Sequence, residues 1–217
     1  MSGARQDRVF AACGIASVAL QLGGFVVGAA SGGATVTLAS SPAKVGQAFA
    51  NPVGTGVWVG AYIGLLSFAA FLAFAVWATA RLGGGLIGGI ARTAATTYAA
   101  LGIAAWCVLD ALEFRAGHGM STQLTTALSN VNEALYVGSW FPGAVFLLAA
   151  GTLALTAARR ALGWSAIAAA VVTLAGAAAP MNDLVQNTIV LWFIWIVWAS
   201  ISLARGERVS AEAVAFS

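Results

Sequence analysis

Charged residues are scarce in this chain. Asp, Glu, Lys and Arg together make up 8% of its 217 residues, whereas a soluble domain has about 25%. Hydrophobic residues make up 60%, and the mean hydropathy is +0.90. Because so few charges cannot cover a water-exposed surface, the composition excludes an ordinary soluble protein. It predicts an integral membrane protein whose main partner is the lipid bilayer.

Residues that bind metals or form disulfides are also scarce. The chain has two cysteines, Cys13 and Cys107, and one histidine, His118. The predicted topology places the two cysteines far apart, whereas a disulfide needs Cα atoms within about 7 Å. One histidine without a paired-cysteine motif supports neither a zinc site nor a haem held by two histidines. The sequence therefore predicts no disulfide, no metal and no other cofactor.

Six stretches are apolar enough to cross a bilayer, which takes about 20 helical residues. They predict an all-α integral membrane bundle of six transmembrane helices, forming one domain over residues 1–217. The predicted spans are 9–30, 57–80, 94–114, 134–158, 162–179 and 184–203. The first span has a signal peptide as its alternative, with a basic start and small residues at Ala29–Ala34. We expect it to be retained, because it is longer than the roughly 7 to 15 apolar residues of a signal peptide.

Basic residues fall mainly on one side of the predicted bundle. Lys44 and Arg115 lie on one side, and the other eight lie in segments on the opposite side. Those eight are Arg5, Arg8, Arg81, Arg92, Arg159, Arg160, Arg205 and Arg208. Because cytoplasmic segments retain positive charge, both termini are predicted to be cytoplasmic in a multi-pass plasma-membrane protein. The basic residues form no continuous stripe, so no nucleic-acid partner is expected.

Glycines repeat every four residues in two of the predicted helices. The first helix ends with Gly24, Gly28 and Gly32, and the second contains Gly56, Gly60 and Gly64. Helices in lipid approach closely where side chains are tiny, so each repeat predicts a packing groove. A homodimer formed through these glycine-rich faces is the alternative.

Two acids near the end of the third helix have no simple structural explanation. Asp110 and Glu113 lie where the helix dipole is negative, so it opposes rather than stabilises their charge. They share a face with Trp106, one turn deeper. Because ionisable groups within a membrane usually face a cavity or a partner, we predict that Asp110 and Glu113 are catalytic. An interhelical hydrogen bond or ion pair is the alternative.

Other polar residues at the same depth have simpler structural explanations. Asn130 and Glu133 resemble a capping box at the start of the fourth helix. Asp183 follows Pro180 in the first turn of the sixth helix, where an acid complements the dipole. Asn187 shares a face with Asp183. We keep Glu133, Asp183 and Asn187 as candidate substrate-binding residues.

Aromatic residues cluster at this depth as well. They are Trp58, Tyr62, Trp106, Tyr136 and Trp140. An interfacial belt explains such a cluster in most membrane proteins. However, Glu133, Tyr136 and Trp140 have the spacing of a single helical stripe with an acid at its head. The aromatic cluster is therefore also predicted to bind substrate, as the walls of a pocket.

The chain resembles a group of small actinobacterial membrane proteins over most of its length. The resemblance lies in the basic start before the first span and in the segments Ser40–Lys44, Ala80–Gly83 and Arg160–Trp164. That group supplies no function to carry over. A looser likeness is to integral membrane terpene cyclases, which are similar in size and use membrane-embedded acids. Their motifs match no positions here, and they have seven spans rather than six.

Three classes of function fit this pattern. The first is a metal-independent cyclase or isomerase of a hydrophobic lipid-like or terpenoid-like substrate, because a carboxyl group in apolar surroundings keeps its proton and can donate it. Aromatic faces would stabilise a developing cation by roughly 0.5 to 2 kcal/mol each. The second is a proton-coupled transporter or ligand sensor, although carriers usually show repeated halves and broken helices, which this sequence lacks. The third is a structural or accessory subunit.

Overall fold

The protein is helical throughout the described chain. The computed structural model describes residues 3–33, 36–178 and 189–215, and over these ranges it has seven helices and no strand. They are α1 (Gly3–Ala30), α2 (Pro42–Ala48), α3 (Thr55–Leu82), α4 (Gly85–Arg115), α5 (Thr122–Thr156), α6 (Arg160–Ala178) and α7 (Ile189–Ala215). The prediction of an all-α protein is confirmed.

Five of these helices are long and apolar enough to cross a membrane, namely α1, α3, α4, α5 and α6. The predicted sixth span, 184–203, lies partly outside the described residues. Its described apolar part, Ile189–Arg205, is shorter than each of the five. By length and composition, the chain is therefore a membrane protein.

Helix α5 begins 12 residues before the predicted span at 134, at Thr122. Its N-cap is Ser121, whose side-chain oxygen accepts a hydrogen bond from the Leu124 backbone N–H at 3.3 Å. Glu133 consequently lies three turns inside a continuous helix. The capping interpretation of Asn130 and Glu133 is therefore wrong, because the helix has already begun and no free N–H groups remain there to cap.

The glycine repeats of α1 and α3 pack against each other. A Cβ atom added at Gly24 would lie 2.8 Å from the Gly60 backbone oxygen, and one added at Gly60 would lie 2.7 Å from the Gly24 oxygen. Only glycine permits such an approach of two backbones. The predicted packing grooves are confirmed, and within the chain they form a single contact between α1 and α3.

Aromatic rings join four helices at the centre of the bundle. Tyr98 of α4 lies with its ring centroid 5.2 Å from Phe71 of α3 and 5.0 Å from Trp192 of α7. Trp192 in turn lies 5.7 Å from Phe146 of α5. Edge and tilted ring contacts of this kind stabilise aromatic pairs beyond their burial.

A second, smaller core covers one end of the bundle, which we call the α2 end. Its buried members are Val36, Val45, Phe49, Leu112 and Ala116. Ser41 caps α2 by accepting a hydrogen bond from the Lys44 N–H, and Pro42 follows at the first helical position. The connections between α3 and α4 and between α5 and α6 lie at the opposite end, where Arg81 and Arg159 are found.

Candidate functional site

A cavity of about 280 Å³ adjoins the small core at the α2 end. Helix α1 packs on α3 and α7, whereas α4 packs on α3 and α5; among the described residues, α1 makes no backbone contact with α4 or α5. The cavity occupies this gap between α1 and the α4–α5 pair. We call it the acidic cavity, and it is lined by Gly24, Phe25, Gly28, Ala29, Gly33, Val36, Thr37, Val57, Ala61, Ala105, Trp106, Leu109, Glu113, Asn132, Glu133 and Tyr136.

One aromatic side chain lies between the acidic cavity and the outer surface of the bundle. Phe25 of α1 lines the cavity, yet 41% of its surface is exposed. Its ring centroid lies 5.4 Å from that of Trp106 on α4, across the gap between the two helices. Phe25 belongs to a helix that is long and apolar enough to cross a membrane. It therefore lines the cavity at the gap between α1 and α4 and keeps part of its surface exposed there.

Trp106 is positioned by the glycine face of α3. A Cβ atom added at Gly64 would lie 2.7 Å from the Cζ2 and Cη2 atoms of Trp106. The indole therefore rests directly on the α3 backbone, with only 8% of its surface exposed. The repeat that packs α3 against α1 thus also makes room for the cavity wall.

Two glutamates from different helices line the acidic cavity. Glu113, near the end of α4, is 5% exposed, and its Oε1 atom lies 3.4 Å from where a Cβ on Gly33 would be. Glu133 of α5 is half-buried, and Asn132 Nδ2 lies 3.4 Å from its Oε1, near the limit of a hydrogen bond. The described lining residues include no Lys, Arg or His. Within the described chain, no three His, Cys, Asp or Glu side chains cluster as a metal site would require.

The structure separates the predicted catalytic pair. Glu113 lines the acidic cavity, but Asp110 does not. Residues three apart on a helix differ by about 60° in direction around its axis. This difference is enough for Glu113 to face a narrow cavity while Asp110 does not. Asp110 is half-buried, and its Oδ1 atom has no hydrogen-bond partner in the described part of the chain. The acid that joins Glu113 in the cavity wall is Glu133.

The predicted aromatic residues divide into two groups. Trp106 and Tyr136 line the acidic cavity. Trp140 lies one turn deeper than Tyr136, is 3% exposed and contacts the Tyr136 ring edge-on, with centroids 5.5 Å apart. Tyr62 is 65% exposed and Trp58 packs against Phe114, so neither lines the cavity.

Two further candidates, Asp183 and Asn187, lie outside the described residues. Conversely, the structure adds lining residues that the sequence reading missed. Asn132 is 7% exposed and lies one turn before Tyr136, a spacing that marks it as a polar residue on the same face. Phe25 carries no comparable signal, because one phenylalanine in an apolar helix is ordinary.

Comparison with known proteins gave no match to this chain. No family model matches the sequence, and neither the curated proteins nor the solved structures include a significant relative. Function must therefore be inferred from the acidic cavity itself.

Proposed function

We propose that the acidic cavity binds a hydrophobic, lipid-like or terpenoid-like molecule and converts it by acid–base catalysis, as a cyclase or isomerase. The observation that carries this proposal is a mainly apolar cavity of about 280 Å³ into which two helices each bring a glutamate. Pockets that bind small molecules are mainly apolar with a few polar groups at fixed positions.

The proposal includes a topology of six membrane-spanning helices, with α7 as the sixth. Arg81 and Arg159 lie at the end of the bundle opposite α2, together with the basic start of α1. The α2 end has two residues of permanent positive charge, Lys44 and Arg115, together with His118. Since positive charge is retained on the cytoplasmic side, both termini would be cytoplasmic and the acidic cavity would open in the outer leaflet of the plasma membrane.

The size of the cavity and its position favour a substrate that arrives from lipid. Small-molecule pockets usually measure roughly 300 to 1,000 Å³, so about 280 Å³ suits a compact terpenoid or one end of a longer chain. Such a molecule would enter between α1 and α4 by displacing the Phe25 side chain. A water-soluble substrate would gain nothing from this route.

The chemistry we propose is a redox-neutral rearrangement. One carboxyl group donates a proton to an alkene carbon, or to an epoxide oxygen whose C–O bond then breaks, and the π electrons of another double bond attack the cationic carbon to form the new carbon–carbon bond. The other carboxylate then removes a proton from the carbon next to the resulting cation, which restores a double bond. The product is an isomer of the substrate, and the two acids have exchanged one proton. Glu113 and Glu133 are the residues placed to do this.

The test is an incubation of the purified protein, in nanodiscs, with an epoxide of farnesol as the probe. We expect products of unchanged mass and altered retention by gas chromatography and mass spectrometry. Glu113→Gln and Glu133→Gln should each slow the reaction by about 100-fold or more, the scale of general acid–base catalysis. Glu212→Gln, the same change near the far end of α7, is the matched control. No isomeric product, or full activity in both cavity variants, would contradict acid–base catalysis.

A further inference from the structure

The described lining of the acidic cavity has two glutamates and two aromatic side chains beside Phe25 but no basic residue, and we infer that it selects a molecule with a positively charged end, an alkylamine or alkylammonium amphiphile. The inference rests on the proposed function, because it takes the cavity as a binding site and adds the charge of the occupant. A cyclisation passes through a cation, so a stable ammonium ion would resemble the species that the cavity is proposed to stabilise.

The charges around the cavity favour a cation over an anion. Glu133 lines the wall, and no basic side chain does so among the described lining residues. The basic residues of the described α2 end, Lys44, Arg115 and His118, are all exposed. Segments 34–35 and 179–188, which the structure leaves undescribed, contain no Lys, Arg or His in the sequence. A carboxylate or sulfate headgroup would therefore meet glutamate side chains and, among the described lining residues, no basic side chain.

Aromatic faces lie beside the acid. Tyr136 follows Glu133 by three residues, so the phenol and the carboxylate project from one side of α5 into the same cavity. Trp106 lines the cavity from α4. Alkylammonium groups are recognised by aromatic faces because the ring quadrupole attracts the cation, and the attraction grows when water is excluded.

The apolar side of the cavity accounts for the tail. The lining from α1 consists of Gly24, Phe25, Gly28 and Ala29, none of which carries a polar side chain. An alkyl chain leaving the cavity past Phe25, a partly exposed residue of an apolar helix, would pass between α1 and α4 into the lipid proposed to surround them. A charged head beside Glu133 and a tail in the membrane describe a cationic amphiphile.

The experiment compares three probes with the same alkyl chain. Radiolabelled dodecyltrimethylammonium is bound to the full-length protein in zwitterionic phosphatidylcholine nanodiscs, and unlabelled dodecyltrimethylammonium, dodecanol and dodecyl sulfate compete for it. We expect the cation to compete about tenfold or more better than dodecanol, and the sulfate to compete worst. In Glu133→Gln the Kd of the cation should rise about tenfold or more, while the competition by dodecanol changes less than about twofold.

Further variants distinguish charge selectivity of the cavity from binding by the cavity as such. Tyr136→Leu should also weaken the binding of the cation more than the binding of dodecanol. Glu212→Gln should leave the binding of both probes unchanged. If dodecanol competes as well as the cation, or if Glu133→Gln weakens both equally, the charge selectivity is refuted while the cavity remains a binding site. If neither radiolabelled dodecyltrimethylammonium nor, in a parallel measurement, radiolabelled dodecanol binds above empty nanodiscs, the proposed function fails as well.

Discussion

The contact between α1 and α3 gives a sharp test of the fold, through the substitution Gly60→Ala. The added Cβ would lie 2.7 Å from both the Gly24 oxygen and the Gly28 nitrogen, which are backbone atoms of α1. Real Cβ atoms essentially never lie closer than 3.0 Å to such atoms, and ordinary contact begins at 3.4 Å, so the two helices must separate by about 0.3 to 0.7 Å. Neither helix can relieve this by rotating a side chain.

The expected cost follows from two opposing effects. Overpacking of a close contact costs about 1 to 3 kcal/mol, whereas alanine favours a helix over glycine by about 0.5 to 1 kcal/mol. Taking the middle of each range, Gly60→Ala should lower the free energy of unfolding by about 1 kcal/mol. Gly89→Ala is the matched control, because a Cβ at Gly89 of α4 would meet nothing within 4 Å.

The assay is thermal unfolding in detergent, followed by tryptophan fluorescence. The control should melt at or above the wild-type temperature, and Gly60→Ala clearly below it. If Gly60→Ala is as stable as Gly89→Ala, the close approach of α1 and α3 that the structure describes is refuted. The acidic cavity, which α1 closes on one side, would then lose its basis.

Three other predictions concern topology, processing and the start of α5. A cysteine introduced at Ser41 should react with an impermeant thiol reagent added outside cells, and one at Gly84 should not; the reverse pattern would invert the proposed orientation. The intact mass of the purified protein should correspond to a chain that retains α1, because this helix packs on α3 and lines the acidic cavity. A mass that lacks about 30 residues would identify a cleaved signal peptide. Ser121→Ala should lower the stability by about 1 kcal/mol through loss of the cap on Leu124, measured as a lower melting temperature, whereas an unchanged temperature would show that the cap contributes nothing.

Hydropathy alone predicted the five spans that correspond to α1, α3, α4, α5 and α6, because an apolar run of the right length has few other uses in a chain with so little charge. The same criterion missed the first three turns of α5. Residues 122–133 contain several Thr and Asn, so their hydropathy is too low to predict a membrane span. The helix nevertheless begins at Thr122 and continues through them into the apolar region. The capping interpretation of Glu133 failed for this reason. Helix α2 was also missed, although Ser41 followed by Pro42 is a recognisable helix start.

The composition of the cavity depends on tertiary contacts that periodicity does not contain. Glu113 and Glu133 are brought together because α4 and α5 form a hairpin through the short connection at 116–121. Asp110 and Glu113 share a helix face only broadly, and the position of α1 decides which of the two reaches the cavity. Sequence spacing placed both acids in one region of α4 but could not decide which of them lines the cavity.

The division of the cavity wall between helices has a consequence for how specificity could change. Among the described lining residues, the carboxyl groups, the amide and the phenol all come from the α4–α5 hairpin, whereas α1 contributes backbone, one methyl group and the Phe25 ring. Within the described chain α1 has no backbone contact with that hairpin and reaches Trp106 through the Phe25 ring, so a change in α1 does not shift the backbone that carries the acids directly. Under the proposed function, substitutions at Phe25 or Ala29 would retune the accepted chain length and branching. The preference for a charged substrate would depend on other residues, Glu113 and Glu133, and could change independently.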